Sequence, residues 1–97
     1  MKSILFHPAA EAEFDNSIEF YNQRQIGLGL DFEKEVLRAL CSIIDAPERS
    51  PKYKLGLRKY ILRRFPFVIY YLNKSHYIWI VAIAHGARKP DYWKKRI

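Results

Sequence analysis

Apolar positions are densest in the second half of the chain. Residues 67–72 and 77–84 are two continuous apolar runs rich in β-branched and aromatic side chains, and residues 73–75 between them form a turn. Such runs are typical of central strands that are covered on both faces. Residues 58–62 predict a further strand, after which Pro66, which has no N–H to donate, marks a bend or a strand start.

The first half shows helical spacing. Residues 2–6 predict a short strand, and Pro8 suits the first position of a helix, where its missing N–H is not needed. Apolar residues then recur three or four positions apart on both sides of a glycine-containing break at residues 25–29. The two stripes are Ala10, Phe14, Ile18 and Tyr21, then Phe32, Val36, Leu40 and Ile43. Cys41 lies beside the second stripe, where we expect a buried structural thiol.

This order of elements predicts an α+β fold. We expect an N-terminal strand and an αα-hairpin that packs on one face of a small, mainly antiparallel twisted sheet, with a short helical tail that begins at Pro90. Residues 1–97 are short enough to form a single domain. No third long helix is predicted, so the second apolar face of the sheet is expected to remain a docking surface that the tail covers only in part.

Charge is distributed very unevenly along the chain. The net charge is +7, but residues 1–48 hold four Lys or Arg and nine Asp or Glu, whereas residues 49–97 hold thirteen Lys or Arg and one acid, Asp91. An acidic half followed by a strongly basic half predicts an acidic or polyanionic partner for the second half.

Several kinds of chemistry are disfavoured. A single cysteine excludes an internal disulfide and fits a reducing compartment. No apolar run is long enough for a secretory signal or a membrane span, so we expect a cytoplasmic protein. Three scattered histidines without matching acids argue against zinc, and no nucleotide-binding loop or nucleophile triad is present. We therefore expect neither a metal nor a cofactor.

The C-terminal segment carries a resemblance to a known family. The sequence LRKYILRRFPFVIYYL, then YIWIVAIAH and HGARKPDYWKKR, resembles the RelE/ParE superfamily of toxins from type II toxin–antitoxin systems, and the ParE branch in particular. The resemblance covers essentially the whole chain. The matching positions are Arg63 or Arg64, Phe65, Pro66, Phe67, Ile69, Tyr70 or Tyr71, Ala84, His85, Arg88, Pro90, Tyr92, Trp93 and Arg96.

The resemblance to the ParE branch implies that the protein is the toxin of a plasmid-stabilisation module. It also implies that the protein inhibits DNA gyrase by binding it and forms a hetero-oligomer with a cognate antitoxin. For contact with the target we predict the basic and aromatic residues Lys52, Lys54, Arg63, Arg88, Lys89 and Trp93. For contact with the antitoxin we predict the aromatic residues Phe14, Tyr21, Phe32, Tyr70 and Trp79.

Two alternatives remain open. A RelE-like protein would instead cut mRNA on the ribosome, and metal-free RNA cleavage needs a base, an acid and cations that hold the phosphate. The residues predicted for those roles are His85, Arg58, Arg64, Arg88 and Tyr92. A generic nucleic-acid-binding domain is less favoured, because no element that reads a DNA or RNA groove is apparent. Both toxin hypotheses require His85 and Arg88 to share one surface.

Overall fold

A computed structural model describes residues 2–97, and the order of elements agrees with the predicted fold class. The elements are β1 (Ser3–Phe6), α1 (Pro8–Arg24), α2 (Leu28–Asp45), β2 (Arg58–Ile61), β3 (Phe67–Asn73) and β4 (Tyr77–His85). Short 3₁₀ turns occupy Lys54–Gly56 and Lys94–Arg96. The chain is thus an α+β protein whose helices come before most of its strands.

The four strands form one sheet in the order β1-β4-β3-β2. β1 runs parallel to β4, and the other neighbours are antiparallel. Tyr70 pairs with Ala82 and Tyr71 with Ile80, so Val81 is the extra residue of a β-bulge. β1 pairs with β4 only as far as Ile80, and within residues 2–97 no strand lies beside the outer edge of β4 beyond that point.

The αα-hairpin packs on one face of this sheet. α1 begins at Pro8, and the Nδ1 atom of His7 accepts a hydrogen bond from the backbone N–H of Ala9 at 3.0 Å. The helices cross closely at Gly29, where an added Cβ atom would lie 2.4 Å from the carbonyl oxygen of Ile18. The Asn22 side chain caps the Gly29 N–H at 2.9 Å, which fixes the start of α2 against α1.

The core between helices and sheet is aromatic, and the α2 stripe predicted for it is confirmed. Phe32, Val36, Leu40 and Ile43 are all buried, and the Phe32 ring lies 4.8 Å from that of Phe67. The expectation for Cys41 is wrong, because its side chain is exposed. Cys41 and the half-exposed Leu37 occupy the outer flank of α2, away from the narrow stripe that meets the sheet.

The second face of the sheet is covered more completely than the sequence predicted. Residues 52–58 fold back as a small hairpin, in which Lys52 pairs with Arg58, and this hairpin and the tail lie over β3 and β4. The buried residues of this second cluster are Leu57, Val81, Ala82, Ala84 and Trp93. The tail is also less regular than expected, since residues 90–93 form turns and no helix opens at Pro90.

Two features are absent from residues 2–97. No helix among them is both long and apolar enough to cross a membrane. Across residues 2–97, no cluster of three or more His, Cys, Asp or Glu side chains is arranged to hold a metal ion.

Candidate functional site

A groove of about 260 Å³ opens on the second face of the sheet, between the 52–58 hairpin and the tail. We call it the basic groove. Aromatic rings form its floor and one wall, and cations lie along its rim. Its principal lining residues are Tyr53, Tyr70, His85, Gly86, Arg88, Lys89, Pro90, Asp91, Tyr92 and Trp93. The sheet end, the hairpin and the tail therefore meet at one site.

The tail that forms one side of the groove is tied to α1 by a single carboxylate. Glu13 accepts hydrogen bonds from the Tyr92 hydroxyl at 2.7 Å and from the two terminal nitrogens of Arg96 at 3.0 and 2.9 Å. Glu13 also accepts from the backbone N–H of Ile83 at 3.0 Å, and Arg96 donates to the carbonyl of Val81 at 3.1 Å. We call the group formed by Glu13, Tyr92 and Arg96 the Glu13 clasp. It supplies hydrogen-bond partners to the backbone of β4 where β1 has ended.

Two guanidinium groups lie close to the Tyr92 ring. Arg88 stands 3.9 Å and Arg96 5.0 Å from the ring centroid. Burial raises the pKa of Tyr92, and its hydrogen bond to Glu13 raises that pKa further. The hydroxyl therefore stays protonated at neutral pH and is occupied as a donor to Glu13, while the ring face supports Arg88.

A second tie joins the tail to the hairpin. Asp91, with a positive φ of 61°, accepts from the Lys54 ammonium at 2.9 Å and from the Tyr53 hydroxyl at 3.2 Å. The hydrogen bond from Lys54 lowers the pKa of Asp91, and the same bond raises the pKa of Lys54. The Tyr53 ring in turn lies 5.3 Å from Tyr70 and 6.0 Å from Trp93, so these rings and the ion pair define the width of the basic groove.

The structure brings His85 and Arg88 onto the same surface, together with Lys89. His85 is the last residue of β4 and is exposed. Its Nδ1 atom accepts from the backbone N–H of Ala87 at 2.9 Å, and its ring meets Phe67 edge-on at 5.0 Å. These contacts fix the orientation of the imidazole, and Nε2 makes no such contact with any other described residue.

Other residues predicted for the site lie elsewhere. Arg58 donates to the carbonyls of Glu48 and Ser50, at 3.0 and 2.8 Å, and so holds the loop that follows α2. Arg64 pairs with Asp31 of α2 at 3.1 Å on the helix side of the molecule. Arg63 and Arg64 line a different groove of about 320 Å³ between α2 and β2. The five residues of the predicted nuclease site therefore do not converge.

The aromatic residues predicted for partner contacts are divided between the two faces. Phe14 and Tyr21 are half-buried against the helix-side core, whereas Tyr70 and Trp79 are half-buried on the second face. Phe32 and Trp93 are a correction, because both side chains are essentially fully buried and offer no surface to a partner. Phe32 fills the core beneath the helices, and Trp93 anchors the tail to the sheet.

The second groove, which we call the α2–β2 groove, was not anticipated. Its polar lining comes from Glu35, Arg38, Arg63 and Arg64, and its apolar lining includes Ile61, which is largely exposed. Glu35 accepts from the backbone N–H groups of Arg63 and Arg64, at 2.8 and 3.2 Å, and so fixes the turn after β2. Both arginine side chains are left at the surface.

Comparison with known proteins identifies the class of protein. The family described as ParE toxin of type II toxin–antitoxin system, parDE, matches residues 4–90, which is most of the chain. This protein is therefore a toxin of the type II toxin–antitoxin class, and it belongs to the ParE toxin family. A search of curated proteins found no match.

A solved structure agrees with the fold. The structure described as a chromosomal ParDE toxin–antitoxin system from P. aeruginosa aligns with a TM-score of 0.76 and 20% sequence identity, over 88% of this chain and 96% of that chain. At this identity the likeness shows the shared fold.

Proposed function

We propose that this protein acts by binding and inhibiting DNA gyrase, that the basic groove and its rim form the contact surface, and that a cognate antitoxin neutralises it. Membership of the ParE family supports the toxin role. The concentration of cations in the second half of the chain supports an acidic surface on the target. The proposed target contacts are Lys52, Lys54, Arg88 and Lys89, with Trp93 as a buried support.

One observation favours binding over catalysis. The basic groove holds His85 and Arg88, but the Tyr92 hydroxyl is committed to Glu13. Arg58 and Arg64 are engaged with other partners outside the groove. RNA cleavage without a metal requires an acid, a base and cations around a single phosphate. A binding surface needs only an exposed, complementary set of groups, which the residues of the basic groove and its rim provide.

The α2–β2 groove is the proposed site for the antitoxin. It combines an exposed apolar side chain, Ile61, with the cations Arg38, Arg63 and Arg64, and so fits an acidic, amphipathic segment. It lies at the β2 edge of the sheet beside α2, whereas the basic groove lies on the second face over β3 and β4. Phe14 and Tyr21 remain secondary candidates, because each keeps part of its ring exposed. We place the resulting hetero-oligomer in the cytoplasm.

A supercoiling assay tests the gyrase proposal. Purified protein is added to DNA gyrase with relaxed plasmid and, separately, to a translating extract. We expect loss of supercoiling without cuts in mRNA, and at least a tenfold weaker inhibition by Arg88→Ala. Lys74→Ala is the matched control, because Lys74 is an exposed cation at the opposite end of β4. Codon-associated mRNA cuts that depend on His85 would instead identify a nuclease.

The antitoxin site is tested by disrupting the apolar contact in the α2–β2 groove. Ile61→Asp places a carboxylate where an acidic segment is proposed to dock, so we expect the complex with the antitoxin to be weakened at least tenfold. Leu5→Asp is the control, because Leu5 is a half-exposed leucine on β1 at the other edge of the sheet. Equal weakening by both changes would exclude the α2–β2 groove as a specific site.

A further inference from the structure

The tip of the 52–58 hairpin has an unusual sequence for its geometry. The N–H of Leu57 donates to the carbonyl of Lys54 at 3.1 Å, and that of Tyr53 donates to the carbonyl of Leu57 at 2.7 Å. Leu55 has φ 61° and ψ 29°, and Gly56 has φ 79°. These values define a type I′ turn, which requires a positive φ at both central residues.

Leucine is disfavoured at the first central position of such a turn. Asn, Asp or Gly normally stands there, because a Cβ atom with a bulky side chain makes the left-handed conformation costly. Leu55 is also 59% exposed, so burial within its own chain does not offset this cost. Leu57, two residues further on, is 0% exposed and shows how the same hairpin buries a leucine when it serves the core. Strain and exposure at Leu55 thus both oppose stability.

The surroundings of Leu55 are basic and adjoin the proposed contact surface. Exposed Lys52 and Lys54 flank the tip, and Lys59 lies over the Tyr53 ring at 5.2 Å. Lys54 is bonded to Asp91 of the tail, so the hairpin tip and the rim of the basic groove are held together. A single apolar side chain is therefore displayed within a field of cations.

We propose that Leu55 is an apolar anchor that enters a pocket on the target protein, and that acidic groups of the target surround that pocket. This inference rests on the proposed function, because it assigns the second face to the target. A second copy of the chain is disfavoured as the occupant, since two such tips would bring like charges together. The antitoxin is disfavoured because its proposed groove lies at the β2 edge of the sheet beside α2 and does not include the hairpin. A role of the Leu55 side chain in binding accounts for the presence of a strained, exposed leucine at this position.

The test exploits the opposite effects expected on stability and on binding. Leu55→Asn supplies a residue suited to the turn, so the melting temperature should rise by about 4 °C. The same change removes the anchor, so growth arrest on expression and inhibition of supercoiling should both weaken at least tenfold. Binding of the antitoxin should stay within twofold of the wild type. Leu5→Asn is the control, because Leu5 is a half-exposed leucine on a strand at the far edge of the sheet and should leave toxicity unchanged.

The outcomes separate this inference from the proposed function. Growth arrest by the wild type without loss of supercoiling would overturn gyrase as the target, and the Leu55 inference would then be judged on growth arrest alone. A stabilised Leu55→Asn protein that remains fully toxic would overturn the anchor. Weakened antitoxin binding with full toxicity, or conversion of a wild-type dimer to a monomer, would also overturn it by assigning Leu55 to another occupant.

Discussion

The carboxylate of Glu13 and the guanidinium of Arg96 form a two-point ion pair that links positions 83 residues apart. Their side chains are only 14% and 15% exposed. The pair joins the first helix to the last turn of the chain, and both partners also bond to the unpaired edge of β4. This contact explains how a tail with almost no regular structure keeps a defined position beside the basic groove.

Removing one partner of this pair should be costly. Glu13→Ala removes the carboxylate that accepts from the Arg96 guanidinium, the Tyr92 hydroxyl and the Ile83 N–H, so we expect a loss of about 2–4 kcal/mol in the free energy of unfolding. Urea denaturation measures this loss. Arg64→Ala is the matched control, because the Arg64–Asp31 pair is exposed and should contribute less than about 1 kcal/mol. Equal losses for both changes would show that the Glu13 clasp does not hold the tail.

Alkaline pH should destabilise the fold through Tyr92. Burial and the Glu13 hydrogen bond raise the pKa of Tyr92 above its usual value of about 10, and burial also raises the pKa of Tyr21, Tyr70 and Tyr71. A raised pKa in the folded state means that the protonated hydroxyl is favoured by folding. The stabilisation that the protonated hydroxyl contributes is complete below about pH 10, and it is lost as the pH rises through the pKa of the folded state. The denaturant midpoint should therefore decrease from pH 8 to pH 10 and decrease further at pH 11.

Tyr92→Phe provides the comparison for this pH effect. Phenylalanine keeps the ring beneath Arg88 but cannot ionise, so the decline above pH 10 should become shallower, while stability at pH 8 falls by about 1 kcal/mol for the lost hydrogen bond. An unchanged slope would mean that other tyrosines dominate the alkaline response.

Two glycines should respond to alanine for different reasons. At Gly29 a Cβ atom would lie 2.4 Å from the Ile18 carbonyl oxygen, so Gly29→Ala must separate the helices and should cost about 2 kcal/mol or more, despite the better helix propensity of alanine. At Gly27 a Cβ atom has open space, but φ is 86°, so Gly27→Ala should cost about 1 kcal/mol from backbone strain alone. Gly27→Asn should recover part of this loss, whereas Gly29→Asn should not. Thermal unfolding of the four variants measures the difference.

The elements of the fold were predictable because their signals are local. Continuous apolar runs identified β3 and β4, and apolar residues three or four positions apart identified both helices. The structure places Phe67 and Ile69 on the helix-facing side of β3. The hairpin of residues 52–58 gave no such signal, because Leu55-Gly56 lacks the Asn-Gly or Asp-Gly pattern that marks a type I′ turn. The cover on the second face was therefore underestimated.

The site was predictable only where it follows directly from a strand end. His85 ends β4 and Arg88 lies three residues further on, so the sequence placed them together correctly. Arg58 and Arg64 were misplaced because strand register and loop geometry, which the sequence does not specify, direct them to other partners. Glu13 was missed altogether, since nothing in a helix sequence indicates that an acid will meet a tail 83 positions away.

The lone thiol offers a direct check on the packing of α2. Cys41 lies on the outer flank of the helix and is exposed, so it should react with an aromatic disulfide reagent in the native protein nearly as fast as in denaturant. One equivalent per chain should be modified. The same modification should leave the melting temperature within about 1 °C of its starting value, because no core contact is lost. If the reaction requires denaturant, Cys41 is buried in the native protein. The buried stripe of α2 would then be the broad one expected from the sequence, and not the narrow stripe of Phe32, Val36, Leu40 and Ile43.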